Sequence, residues 1–342
     1  MIVDAHTHWI PRSLLDRVVR NGFGGVTADE RAGGFVVTFP GCRALRPVAG
    51  VMIDTADRTT WLTGQGVGHQ IVAPWLDLQG QGLPGAAGAS WTRLLNDSMA
   101  ESAAASRQSV SVHASVHLAE PHAAAEELSR AVTELGMRSV MIPATLAEGR
   151  LADPGYDELW AAAVGHAVPV ILHGTSSSPA GGLLARYPAL HGMFGRHIET
   201  TLTAAELIVT GALDRFPDLR LLVVHGGGFL PYQAARFDRD ARPHKSGSGL
   251  PSDILRSLYY DSTTLSAPSL RLLYELAGFE HVVVGTDYGA TPTWPDEVSV
   301  AGPVIRSSPQ PEVTDAVLRG NARDLFGLGR FLDGSREGAG FD

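Results

Sequence analysis

Ile2-Val3-Asp4-Ala5-His6-Thr7-His8 opens the chain with a short apolar run that ends in two histidines one residue apart. The run reads as a buried strand, and residues i and i+2 of a strand share a face. Two imidazoles at the end of one strand can therefore grip a single metal ion. By itself the pair is weak, because a short motif needs its structural context. What decides the fold is that the same kind of run recurs along the chain.

Eight short apolar, often β-branched runs punctuate the sequence: Ile2–His6, Gln70–Pro74, Ser109–Val116, Ser139–Pro143, Pro169–His173, Arg220–His225, Leu258–Ser262 and His281–Thr286. Between most of them lie Ala/Leu-rich stretches with helical spacing, such as Ser90–Ser106, His122–Leu135, Tyr156–Gly165, Glu199–Phe216 and Ser269–Ala277. Strands alternating with helices imply a parallel sheet. Eight such units predict an α/β protein built as a (β/α)8 barrel, whose site gathers at the C-terminal ends of the strands. A doubly wound open sheet is the alternative, but no Gly-x-Gly-x-x-Gly follows an early strand.

One stretch breaks the alternation. Residues of about 12–55 hold glycine turns around short alternating runs, including Gly33-Gly34-Phe35-Val36-Val37-Thr38-Phe39-Pro40-Gly41. They read as a small β-rich insertion after strand one, placed to act as a lid or a dimer contact. Residues 1–330 are expected to form one barrel domain, with 331–342 as a Gly-rich tail. No internal repeat stands out.

Composition narrows the chemistry. The net charge is −9, which disfavours a general nucleic-acid binder. No stretch reads as a signal peptide or a membrane span, so a soluble cytoplasmic protein is expected. The single cysteine, Cys42, excludes an internal disulfide and a cysteine metal cluster. Of 27 basic residues only Lys245 is a lysine, and it lies in the loop-like Arg242-Pro243-His244-Lys245-Ser246-Gly247. A core Schiff-base lysine and a carbamylated lysine bridging two metals are therefore disfavoured.

Mapped onto the strands, the histidines converge. His173 ends the fifth run, His225 ends the sixth just before Gly226-Gly227-Gly228, and Asp287 follows the eighth. A lone histidine at a strand end is more often structural, and Asp287 could be a helix cap. Five such residues at the ends of four strands are hard to explain as independent accidents. Three imidazoles and a carboxylate suit zinc or a similar ion with an open position for water. The fourth run ends Met141-Ile142-Pro143-Ala144-Thr145 and offers no bridging ligand, which points to one metal.

These residues resemble the amidohydrolase superfamily, and more closely its metal-dependent decarboxylase branch. The likeness is carried by Asp4-Ala5-His6-Thr7-His8-Trp9-Ile10-Pro11, Glu199-Thr200-Thr201, Phe216-Pro217-Asp218-Leu219, His225-Gly226-Gly227-Gly228, Gly285-Thr286-Asp287-Tyr288 and Gly320-Asn321-Ala322-Arg323-Asp324-Leu325-Phe326-Gly327-Leu328. It implies that His6, His8, His173 and Asp287 bind one divalent ion, Zn2+ or else Mn2+, with no organic cofactor. His225 would be the acid/base beside metal-bound water, with Asp287 also in the catalytic set. Two arginines would hold the carboxylate substrate. Arg46 is the better match for the first, with Arg43 as its alternative; Arg236 matches the second, which in that branch comes from a neighbouring subunit and so implies a homodimer. The implied activity is non-oxidative decarboxylation of a small unsaturated or aromatic acid. A hydrolase or hydratase is the alternative, and a binding protein with a vestigial site is a third reading, which would predict a missing ligand. Two departures bear on the substrate. His173-Gly174-Thr175 stands where the branch has His-Pro-Trp, and Asp287-Tyr288-Gly289-Ala290 stands where it has Asp-Tyr-Pro-Phe, so two aromatic walls are absent and a wider or more polar pocket is expected.

Overall fold

The computed structural model describes residues 1–31, 34–53, 55–106, 109–146, 148–175, 184, 187, 190–244, 246–247, 249–290 and 299–329. The expected tail 331–342 and Lys245 lie outside them.

The described residues form ten strands: β1 (Ile2–His8), β2 (Thr27–Arg31), β3 (Gly34–Thr38), β4 (Val67–Ala73), β5 (Val110–Ala114), β6 (Ser139–Pro143), β7 (Val170–His173), β8 (Leu221–Val223), β9 (Tyr259–Asp261) and β10 (Val282–Val283). Eight of them form one sheet in the order β1-β4-β5-β6-β7-β8-β9-β10, paired in parallel throughout. A parallel bridge between Asp4 and Val284 closes the ring, with the Ala5 amide donating to the Val284 carbonyl at 2.8 Å. The protein is a (β/α)8 barrel.

The apolar runs lack hydrophobic alternation because both faces of a barrel strand are buried. The two faces nevertheless separate cleanly. Met141, Ile171, Leu222 and Val283 pack into the barrel interior with Val3, Ala5 and Ile71. Their neighbours Val140, Ile142, Val170, Leu172, Leu221 and Val223 face outward to the helical layer. Phe326 and Leu328 join the interior cluster from the C-terminal segment.

The expected insertion contains an antiparallel hairpin, β2–β3, with Thr27 opposite Thr38 and Arg31 opposite Gly34. It also holds the helix Arg12–Asn21, which a β-rich reading had not separated out; Leu14, Leu15 and Val18 form its buried stripe. The hairpin is fastened to the barrel through Trp91 on the helix Gly85–Ala103. The Trp91 ring meets Phe39 edge-on at 5.5 Å and lies 6.0 Å from Phe23, and its Nε1 donates to the Leu78 carbonyl at 2.8 Å. Among the described residues, no helix is long and apolar enough to cross a membrane.

Emptying this joint tests its weight. Trp91→Ala is expected to lower stability by about 3–5 kcal/mol, read from the urea midpoint, whereas Trp91→Phe keeps most of it. A loss below about 1 kcal/mol for the alanine variant would mean that the hairpin is held elsewhere.

Candidate metal centre

Simple alternation along β1 would turn the two histidines the wrong way. Val3 and Ala5 face the barrel interior, so His6 and His8 would share the outer face with Ile2 and Asp4. The register explains the reversal: Asp4 pairs with Gln70, but Thr7 pairs with Val72, so β1 spends one extra residue. A β-bulge of this kind flips the facing of everything beyond it. His6 and His8 then point inward and are fully buried.

His225 solves the same problem by a turn. Strand β8 ends at Val223, two residues earlier than the sequence reading placed it, with Leu222 and Val224 on the inner face. His225 adopts φ 57°, ψ 39°, a left-handed conformation rare outside glycine. Gly226, Gly227 and Gly228 continue with positive φ, and a Cβ at Gly227 would lie 2.6 Å from the Tyr260 ring. The turn swings the His225 ring to 5.0 Å from His173 and 5.2 Å from His6. Asp287 is also left-handed, at φ 56°. His173 needs no such device, since it follows the inward Ile171 by two residues.

Four of the five expected residues, His6, His173, His225 and Asp287, offer ligand atoms that all lie within 4.8 Å of one another. His8 joins them through Nε2, 3.0 Å from Asp287 Oδ1, with His6 Nε2 at 3.5 Å and His173 Nε2 at 4.0 Å from the same oxygen. Burial would raise the Asp287 carboxyl, but the His225 and His8 imidazoles beside it hold it well below its ordinary value. Burial pushes His173 well below the usual histidine range, so its imidazole stands neutral.

Hydrogen bonds behind the rings fix which nitrogen faces inward. His6 Nδ1 donates to Asp261 Oδ2 at 2.6 Å, and His173 Nδ1 donates to the Gly174 carbonyl at 2.5 Å. Both Nε2 lone pairs therefore aim at the cluster, where neither Nε2 has a hydrogen-bond partner. An imidazole oriented by a carboxylate behind it is how proteins set a metal ligand. Asp261 is itself anchored, its Oδ1 accepting from the amides of Gly226 (2.9 Å) and Thr263 (3.2 Å). Burial opposes its charge, yet the hydrogen bond from His6 brings its pKa down to about 2. The donor set, three or four imidazoles and one carboxylate, fits a divalent ion of the zinc or manganese type.

A second network holds the barrel seam. Asp4 accepts from the Thr286 hydroxyl at 2.6 Å and amide at 3.1 Å, and from Gln70 Nε2 at 3.2 Å. Arg58, buried on the helix Thr55–Gln65, donates to Gln70 Oε1 at 2.6 Å and to the His8 carbonyl. Its guanidinium lies 4.9 Å from the centre of the Tyr288 ring. Burial lowers its pKa to about 10, leaving it a cation at neutral pH.

The expected arginines fare differently. Arg46 lies with its guanidinium 4.2 Å from the centre of the Trp75 ring, close enough to the site for the Asp287 charge to act on it. Arg43 is exposed. Arg236 is on the helix Ala234–Ala241, 69% exposed, and its ion pair is with Asp240 at 3.7 Å; a single chain does not bring it to the histidines. Sequence reading missed Asp261, Arg58, Arg196 and His197. Asp261 carried a usable signal, since Tyr259-Tyr260-Asp261 ends a strand in a carboxylate as the ligand-bearing strands end in histidine. Arg196 and His197 open the helix Arg196–Val209, where a charged first turn looks like ordinary solvated surface. In the structure Arg196 Nη1 lies 4.0 Å from Asp287 Oδ2, and the His197 ring centre lies 5.1 Å from that of His225.

A closed parallel barrel with histidines and a carboxylate converging at its C-terminal mouth is the architecture of a metal-dependent barrel enzyme. The amidohydrolase family matches residues 3–328, and the chain belongs to that family. It is 31% identical over 222 residues to decarboxylase orsB of Emericella nidulans, covering 60% of this chain and 66% of that one. It is 24% identical over 347 residues to 2-amino-3-carboxymuconate-6-semialdehyde decarboxylase of Dictyostelium discoideum, covering 95% and 91% of the two chains. Among solved structures, dihydroxybenzoic acid decarboxylase from Polaromonas sp. JS666, with bound manganese and the inhibitor 2-nitroresorcinol, superposes with a TM-score of 0.78 at 18% identity, covering 96% of this chain and 97% of that one.

Because Asp261 orients His6 without facing the cluster, Asp261→Asn should weaken divalent-metal affinity about 10–100-fold while leaving the fold intact. Titration in metal buffers, with circular dichroism as the control, measures this. Unchanged affinity would remove Asp261 from the centre.

Proposed function

We propose that the protein is a metal-dependent, non-oxidative decarboxylase of small unsaturated or aromatic carboxylic acids. The observation that carries this reading is the buried, inward-aimed histidine–aspartate cluster, in a chain whose relatives include enzymes named as decarboxylases. His6, His8, His173 and Asp287 would hold one divalent ion. We take zinc as the first candidate and manganese, found in a structural relative, as the second. When bound, the ion would supply Lewis acidity, drawing electron density from the substrate's oxygen atoms.

The chain's own residues would do the rest. His225, held beside the cluster by its left-handed turn, would deliver a proton to the carbon that bears the carboxylate. Protonation there interrupts conjugation. The bond to the carboxylate then breaks, CO2 departs, and the bonding electrons restore the conjugated system without a free carbanion. His225 is reprotonated from solvent, so the net change is loss of CO2 and gain of one proton. Arg46 would take the substrate carboxylate through its planar fork. Arg236 would serve the partner subunit's site in a homodimer. Exposed apolar residues support such an interface: Phe229 packs near His197 at 5.9 Å, its amide donates to Thr201 Oγ1, and Leu202 and Tyr232 are exposed as well.

His225→Ala should retain the metal and lose about 100-fold or more of the activity. The assay is CO2 release from metal-loaded protein over a panel of unsaturated and aromatic acids. Water uptake without carbon loss would instead mark a hydratase or hydrolase, and wild-type turnover by the variant would remove His225 from the proton step. Light scattering after size-exclusion chromatography should give twice the chain mass; a monomer would end the role proposed for Arg236.

A further inference from the structure

We infer that Arg196 is a specificity-determining residue that selects substrates carrying a second acidic group, acting from the same chain that holds the metal ligands. The inference rests on the decarboxylase reading for what happens to the substrate, but not for what the site recognises.

Arg196 is mostly buried, 15% exposed, and faces the cluster. A guanidinium withdrawn from water needs acceptors or a counter-charge. Its Nε has no hydrogen-bond partner. Among the described residues, the one carboxylate within 4.0 Å is Asp287, whose other oxygen already lies 3.0 Å from His8 Nε2. Glu199, three residues further along the same helix, feels the Arg196 charge but makes no ion pair with it within 4.0 Å: Glu199 Oε2 accepts from the Thr175 amide at 2.7 Å and hydroxyl at 3.0 Å. Among the described residues, Arg196 thus has no close ion pair: its nearest carboxylate oxygen, Asp287 Oδ2, is 4.0 Å away.

The position is also built. A Cβ at Gly174 would come within 2.6 Å of the Arg196 Cα, so glycine is what lets this helix approach the end of β7. Arg46 approaches from the insertion, propped on Trp75 at 4.2 Å. Arg46 is exposed as a residue, yet partial withdrawal of its guanidinium from water lowers its pKa, and the Arg196 charge lowers it further. Arg196 at the histidine–aspartate cluster and Arg46 on Trp75, whose charges act on one another, give this side of the site a positive potential that favours an anion. A monocarboxylate that engages the metal and one arginine leaves the other cation unsatisfied. A substrate with a second carboxylate, or an equivalent acidic oxygen, satisfies both.

Binding of unreactive acids to metal-loaded protein tests this. By isothermal titration calorimetry, the wild type should bind isophthalate at least tenfold more tightly than benzoate. Arg196→Met should bring that ratio close to one, with metal content by elemental analysis unchanged. Arg196→Lys should keep part of the preference, and it provides the reading if the methionine variant fails to fold. Isophthalate binding by folded Arg196→Met as tight as wild type, or a wild type without preference, would overturn the inference. The two proposals fail separately. A protein that prefers isophthalate through Arg196 yet releases no CO2 from any acid loses the decarboxylase reading alone.

Discussion

The site depends on reversing side-chain facing at the mouth of the barrel. A parallel barrel strand sends alternate residues to opposite faces, and its apolar interior dictates which ones. Left regular, β1 would bury Val3 and Ala5 inside and turn His6 and His8 into the helical layer. The extra residue between Asp4 and Thr7 spends one position so that both requirements hold. Below the bulge the strand packs; above it the strand presents its two histidines to the cluster. The left-handed turn at His225 does the same for the strand that packs Leu222 and Val224 inward.

Such conformations cost on the order of 1–3 kcal/mol each in a non-glycine residue, so the surroundings must over-determine them. Around His225 the Gly226 amide is tied to Asp261, the carboxylate that also orients His6. Around Asp287 the amide donates to the His6 carbonyl at 2.8 Å, while the preceding Thr286 is bound to Asp4. The same bonds that close the barrel seam therefore position the ligands. Arg58 extends the arrangement by holding the His8 carbonyl from the outer layer. Structure and site share one set of hydrogen bonds, and loosening the seam would disorder the histidine–aspartate cluster with it.

This sharing explains what could be read from sequence. The barrel was legible because eight apolar runs separated by helical stretches admit few architectures. His6, His8, His173, His225 and Asp287 were legible because polar residues ending apolar strands stand out. The bulge left no residue signature: nothing in Asp4-Ala5-His6-Thr7 marks an inserted position, which emerges only when Thr7 pairs with Val72. Asp261 was overlooked because its task is indirect, acting through His6. Arg196 was hidden because a charged first turn is ordinary on a surface helix, and only packing against β7 turns it inward. The helix Arg12–Asn21 was absorbed into the insertion, since the glycine turns that follow dominated the reading.

The departures after His173 and Asp287 then take on a different meaning. Missing aromatic walls suggested a wider or more polar pocket. At Gly174 the missing bulk does not simply leave room, because the start of the Arg196 helix comes within Cβ contact distance of that position. At Gly289, with φ of 100°, a Cβ would lie 2.5 Å from the His8 carbonyl oxygen, so the glycine lets the chain after Asp287 close onto β1. Both glycines therefore permit close backbone approach beside a residue of the histidine–aspartate cluster. Where a large apolar side chain would line the site by its own bulk, this chain lines it by bringing other elements nearer. One of those elements carries a guanidinium, so the side of the site next to His173 is set for charge recognition, not for stacking.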